Sequence, residues 1–187
     1  MEHLREFFKK HRVIAGLRNN NDLKAACKSE AIALFVLYGD IFNLPLIMKE
    51  ASSSDKLVFL HLDLLEGIGK DSKGIKYLAE KNLCDGIVTT KSNLIRAAKK
   101  EGLMAIQRLF LLDSAALKSG EHLLKRNQPD AVEILPGIAA PYFIEHIHNK
   151  LECPVIAGGL ITNNEEVEDL IGKGVMAVST SNKQLWK

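Results

Sequence analysis

Short apolar runs recur along the chain, each closed by a polar or glycine-containing turn. They fall at residues 13–17, 32–37, 57–62, 86–89, 104–109, 131–135, 155–157 and 176–179, and they are rich in Val, Ile and Leu. Continuous runs of this length mark strands buried on both faces, because neither face then needs a polar residue. Stretches with helical spacing separate them. In 92–100 (SNLIRAAKK), Ser92 is placed to cap the helix start and Gly102 follows its end. In 162–171 (TNNEEVEDLI), Thr162 and Glu165 have capping-box spacing, with Gly172 and Gly174 near the stop. The first ten residues predict one more helix, lying across the bottom of whatever the strands build.

Eight strands alternating with helices predict an α/β fold: a single compact (β/α)8 barrel of the TIM type, with residues 1–187 as one domain. The chain is short for that fold, so some helices must be abbreviated. The competing architecture is an open doubly wound sheet, which usually carries GxGxxG after its first strand; that motif is absent here.

In such a barrel, ligand groups gather at the C-terminal ends of the strands. Arg18 follows the first strand. His61 and Asp63 sit two apart on the third and are expected on one face. Gln107 lies on the fifth and Glu133 within the sixth. His61, Asp63 and Glu133 interrupt apolar runs, and burying a charge without a partner is costly. Either they form an internal ion-pair network, or with Arg18 and Gln107 they form a polar floor beneath a ligand. Two carboxylates and a histidine also suit general acid–base work, but no triad and no metal-ligand spacing stands out.

The most specific local signal is Gly158-Gly159 after the seventh strand, paired with Ser179-Thr180-Ser181-Asn182 at the end of the eighth. Glycine lets a backbone approach a ligand closely, and the start of the next helix offers free N–H groups to an anion. Phosphate sites of barrels sit between these two loops. A small phosphorylated ligand is therefore expected there.

Charge and composition narrow the rest. Apolar residues make up 47% and charged residues 26%, ordinary for a globular protein, and the net charge is only +2. Lys9-Lys10-His11-Arg12, Arg96 with Lys99-Lys100, and Lys125-Arg126 are local basic clusters, of a kind usually found on solvated faces. No apolar run is long enough for a membrane span, and the mixed-charge start lacks a signal-peptide core, so a cytoplasmic protein is expected. Cys27, Cys84 and Cys153 are odd in number and in no CxxC pair, which reads as buried reduced thiols rather than zinc ligands or disulfides.

Several segments together resemble the glycerol-3-phosphate-responsive antiterminators, the glycerol uptake operon antiterminator regulatory proteins. They are 38–44 (YGDIFNL), 61–68 (HLDLLEGI), 86–93 (GIVTTKSN), 107–114 (QRLFLLDS), 132–138 (VEILPGI), 157–161 (AGGLI) and 177–182 (AVSTSN), followed by Leu185-Trp186. Ala15 stands where the pattern has proline and Lys91 where it has arginine, so the charge remains but bidentate phosphate geometry is lost. The resemblance implies a barrel that senses glycerol 3-phosphate as effector and binds the leader mRNA of glycerol-utilisation operons. It implies a regulator rather than an enzyme, with no catalytic residue, cofactor or metal. Lys91, Arg96 and Arg108 are the residues assigned to RNA, and homo-oligomerisation stays open. Two rivals remain: a barrel enzyme (isomerase, epimerase or aldolase type) on a small phosphorylated substrate, and a phosphate-ligand sensor acting through a protein partner.

Overall fold

The computed structural model describes residues 2–147 and 153–187. Eight parallel strands pair in chain order, and the last pairs with the first, so the sheet is a closed barrel. The strands are β1 Val13–Leu17, β2 Ala33–Val36, β3 Leu57–His61, β4 Gly86–Thr89, β5 Met104–Phe110, β6 Ala131–Leu135, β7 Val155–Gly158 and β8 Ala177–Thr180. The helices are α1 Glu2–Lys10, α2 Asn20–Cys27, α3 Leu44–Ser52, α4 Ser72–Glu80, α5 Ser92–Lys100, α6 Ser114–Asn127, α7 Ala140–Ile147 and α8 Asn164–Gly172. Apart from α6, these are helices of eight or nine residues, which is how a short chain completes the circuit.

Strand parity decides what lies inside. Successive side chains point to opposite faces, so Ile14, Phe35, Phe59, Val88, Ile106 and Ile156 share the lumen. Phe35 and Phe59 meet edge to face, with centroids 5.7 Å apart. The alternate positions, such as Leu34, Leu60, Ile87 and Ala105, or Val132 and Val178, pack under the helices instead. α1 closes the bottom: Phe8 is fully buried and joins the lumen cluster beside Ile14 and Ala33.

The upper ends of the helices are held by short polar caps. Asn19, Asp71, Asp113 and Asn163 each accept N–H bonds from the first turn of the helix that follows. Two expected caps are displaced by one residue. α5 is preceded by Lys91, with Ser92 its first helical residue, and α8 is capped by Asn163 rather than Thr162. Asn163 takes the Glu166 amide while the Glu166 carboxylate returns to the Thr162 amide at 2.6 Å, so the reciprocal capping pair exists one register later. At the other end of the chain Trp186 is buried, donating from Nε1 to the Thr180 carbonyl at 2.9 Å and accepting the Glu30 and Ala31 amides on its own carbonyl.

Candidate ligand-binding site

A cavity of about 550 Å³ opens at the C-terminal ends of β1, β2 and β5–β8. Its inner wall is polar because of parity. Arg108, Glu133 and Ser179 carry the same phase as the lumen residues Ile106, Ala131 and Ala177, two positions further up their strands. Glu133 is only 1% exposed, and both carboxylate oxygens are engaged. Arg108 Nε donates to Oε2 and the Ser179 hydroxyl donates to Oε1, each at 2.5 Å. The charge is thus neutralised by one neighbour and solvated by the other, which is what permits a carboxylate at this depth.

Gly158 is explained by this pair. A Cβ there would stand 2.6 Å from both Glu133 Oε1 and Ser179 Oγ. The missing side chain leaves room for the carboxylate–hydroxyl contact. Gly159 differs: its φ is +78°, it lines the cavity, and it turns the chain toward Leu160, which also has a positive φ and is 82% exposed.

The mouth carries one uncommitted cation. Arg18 lines the cavity, and its backbone amide donates to Asp22 at 2.9 Å. Its guanidinium has no ion-pair or hydrogen-bond partner among the described residues. Ser181 lines the same rim, exposed. Asn182 is already committed: its amide group donates to the Thr162 carbonyl at 2.7 Å and its oxygen caps Gln184, stapling the loop after β8 to the loop after β7. The α8 N-terminus, expected to attract the anion, already has its own acid. Glu166 occupies the Thr162 amide, and Glu165 and Glu166 are both in the first turn. Positive charge at this cavity comes from Arg18 and Arg108.

Of the other expected floor residues, His61 keeps the inner face of its strand, whereas Asp63 and Gln107 do not lie on an inner strand face. β3 ends at His61, so Asp63 is in the following turn rather than on the strand. Its carboxylate accepts the Thr90 amide at 2.8 Å and the Thr89 and Thr90 hydroxyls, tying β3 to β4. Burial pushes this carboxyl's pKa up, but those donors outweigh it and the net shift is downward. Gln107 has the opposite parity to Arg108. It points under the helices and donates to the Thr89 and Thr90 carbonyls. Thr180 likewise turns outward, donating to the Ile161 carbonyl at 3.0 Å, although it contributes to the cavity lining. His61 is buried in the lumen phase with Nδ1 unpartnered. Burial, then the Arg108 guanidinium, lower its pKa to about 4.

The residues assigned to RNA separate. Arg108 is buried in the barrel beside Glu133 and is no surface residue. Arg96 lies on the outer layer and donates to Asn127 at the C-terminal end of α6, away from the mouth. Lys91 alone remains exposed near the cavity end, before α5. Gly16, Phe35, Leu37, Leu135 and Ile161 also line the cavity, and no polarity in the sequence marks them. The cysteines are unpaired, and burial pushes Cys84 up to about 12. Among the described residues no cluster suited to a metal ion is present, and no helix is long and apolar enough to cross a membrane.

Residues 13–186 match the family described as glycerol-3-phosphate responsive antiterminators. The crystal structure of the glycerol uptake operon antiterminator regulatory protein from Listeria monocytogenes is 38% identical, with a TM-score of 0.87 and 94% of each chain covered. A glycerol uptake operon antiterminator-related protein from Thermotoga maritima is 34% identical, with a TM-score of 0.84, covering 94% of this chain and 97% of that one. The uncharacterised YgcP of Escherichia coli is 37% identical over 174 residues, 93% of this chain and 91% of that one. Barrel enzymes at 12–15% identity share the fold alone.

Proposed function

The chain belongs to the glycerol-3-phosphate responsive antiterminator family, and from that premise we propose that it is a ligand-gated regulator whose cavity holds glycerol 3-phosphate and whose output is leader-mRNA binding. The observation that carries the ligand reading is the unpartnered Arg18 guanidinium over a cavity whose deeper charges, Arg108 and Glu133, already neutralise each other. One uncommitted guanidinium at the rim, above a neutral polar floor, suits a phosphomonoester with hydroxyls at its far end. The phosphate sits against Arg18, Ser181 and the Gly159 turn. The hydroxyls face the Arg108–Glu133–Ser179 set, which offers both donors and acceptors. The protein acts as a regulator without turnover: both oxygens of the Glu133 carboxylate are held, by Arg108 and Ser179, rather than free for proton transfer.

The test is calorimetric titration with glycerol 3-phosphate, glycerol and inorganic phosphate. Glycerol 3-phosphate binds at one site, and Arg18→Ala weakens it by about tenfold or more, since a charge-assisted contact contributes about 1.5–3 kcal/mol. Ligand recovered unchanged after long incubation supports the regulator. Product in excess of protein favours the enzyme, and no effect of Arg18→Ala removes the assigned phosphate position.

A further inference from the structure

The barrel is electrically polarised along its axis, and this bears on where RNA binds. At the cavity end, acidic residues crowd the loops: Asp40, Glu66, Asp71, Asp113, Glu165 and Glu166. The few cations there are partly occupied; the ammonium of Lys70, for example, is held by the Leu62 and Leu65 carbonyls. A polyanion meets little attraction on that face. The floor, formed by helix C-termini and the turns into the next strand, is the reverse. Lys10, Arg12, Lys28, Lys56, Lys100 and Arg126 all lie there.

Part of this follows from helix physics, because cations near a helix C-terminus are stabilised by its dipole. Lys9 and Lys10, Lys99 and Lys100, and Lys125 and Arg126 occupy last turns. Lys28 caps the C-terminus of α2 and belongs with them, whereas Arg12 lies 3.6 Å from Glu168 and Lys56 donates to the Ser29 carbonyl at 2.7 Å. Several floor acids are withdrawn into the fold. Asp85 accepts the Val58 amide at 2.7 Å, and Asp130 accepts the Ala105 amide at 2.9 Å. Among the described residues, Glu30 and Glu168 beside α1, the latter 3.6 Å from Arg12, and Asp55, Glu80 and Glu101 at the turns remain as opposing charges. The cations converge: His11 is held below its ordinary pKa first by partial burial, then by the charges of Lys10 and Lys56. A groove lined by Lys10, His11, Arg12 and Lys187, with Glu30 and Glu168 also in its walls, opens beside them.

We infer that the RNA-contacting surface is this floor, with α1 crossing its centre and the ends of α2, α5 and α6 around it, on the opposite end of the barrel from the cavity. This rests on the proposed RNA-binding function and adds its location. The partner chemistry is a phosphodiester backbone, for which lysine and arginine arrays supply sequence-independent affinity. A lipid surface fits less well. Membrane-binding faces join cations to exposed apolar side chains, and here Phe8 of α1 is turned into the core. The most exposed large apolar residues, Phe42, Leu112, Ile138 and Leu160, lie at the cavity end.

The test uses the full chain, fluorescein-labelled single-stranded and stem–loop RNAs, and two variants. One combines Lys10→Gln, Lys28→Gln, Lys100→Gln and Arg126→Gln; the other combines Lys73→Ala with Lys91→Ala. The floor variant binds RNA about tenfold or more weakly, and its log K against log salt slope becomes shallower by about 0.7 for each phosphate no longer neutralised. It keeps wild-type glycerol 3-phosphate affinity, which shows that it is folded. The Lys73/Lys91 variant keeps RNA affinity. Unchanged RNA binding by the floor variant overturns the location while leaving the RNA function intact. A wild-type protein that binds neither RNA at low salt, with or without glycerol 3-phosphate, overturns both. Retention on phosphatidylglycerol vesicles with none on RNA overturns this proposal in favour of a membrane surface.

Discussion

Glu133, Arg108 and His61 show how buried polar groups are sorted by what surrounds them. Both oxygens of the Glu133 carboxylate are satisfied, one by a guanidinium and one by a hydroxyl. His61 has no such partner on Nδ1 and lies near the Arg108 charge, so it stays neutral. The asymmetry makes stability depend on pH. In the unfolded chain the imidazole titrates near 6.5, and in the folded protein at about 4. Between those values the unfolded state holds a proton that the folded state does not, so stability falls as pH drops from about 6.5 to about 4 and then levels. Asp63, whose pKa is lowered from the carboxylate value, adds its own loss only in more acidic solution. Denaturant midpoints measured from pH 7 to 4 decline for the wild type, while His61→Gln flattens the upper part of that decline. An identical profile for His61→Gln would assign the loss to other groups.

At the scale of elements, all eight strands are legible in the sequence, because each is a Val/Ile/Leu run between turn residues. The phase of the strands is less so. A strand buried on both faces has no polar alternation to show which residues point inward. For that reason the sequence suggests Gln107 for the lumen and Arg108 for the surface, whereas one step of parity reverses them. Asp63 reads as part of β3 because nothing in 57–62 marks where the run bends into a turn. Glu133 and Ser179 do fall on the inner face, since a polar residue in mid-strand stands out even without its phase. The glycines at the end of β7 are legible as a close approach, and the structure adds that Gly158 makes room for the Glu133–Ser179 contact. Gly158→Ala therefore displaces two tightly bonded groups and costs about 1–3 kcal/mol by overpacking, with weakened glycerol 3-phosphate binding. Gly172→Ala, at the end of α8 where an added Cβ meets nothing within 4 Å, is neutral or stabilises by up to about 1 kcal/mol. Paired thermal melts and titrations of the two variants check this, and equal effects would remove the steric explanation of Gly158.

For the whole molecule, the proposed ligand and RNA sites lie at opposite ends, and if both are occupied the lumen is the direct route between them. The path available is one continuous packed column. Glu133 and Arg108 lie above Phe35, Phe59, Ile106 and Ile156, and Phe8 of α1 packs into the same cluster from below. Close-packed interiors transmit small displacements instead of absorbing them. A ligand that shifts the Arg108–Glu133 pair can thereby bias how α1 seats on the floor. For this to regulate, α1 must have two arrangements that bind RNA unequally. Linkage then makes the coupling reciprocal: whatever factor glycerol 3-phosphate adds to RNA affinity, RNA adds to glycerol 3-phosphate affinity, about 5- to 150-fold for a typical 1–3 kcal/mol. Phe8→Ala tests the column, because it loosens the α1 anchor without touching the cavity or any floor cation. In this variant glycerol 3-phosphate still binds alone with wild-type affinity, but it no longer changes RNA affinity. The measurement is an RNA titration at fixed salt, with and without saturating glycerol 3-phosphate, for wild type and Phe8→Ala. Coupling of equal size in both would show that the signal bypasses α1 and travels through the helical layer instead.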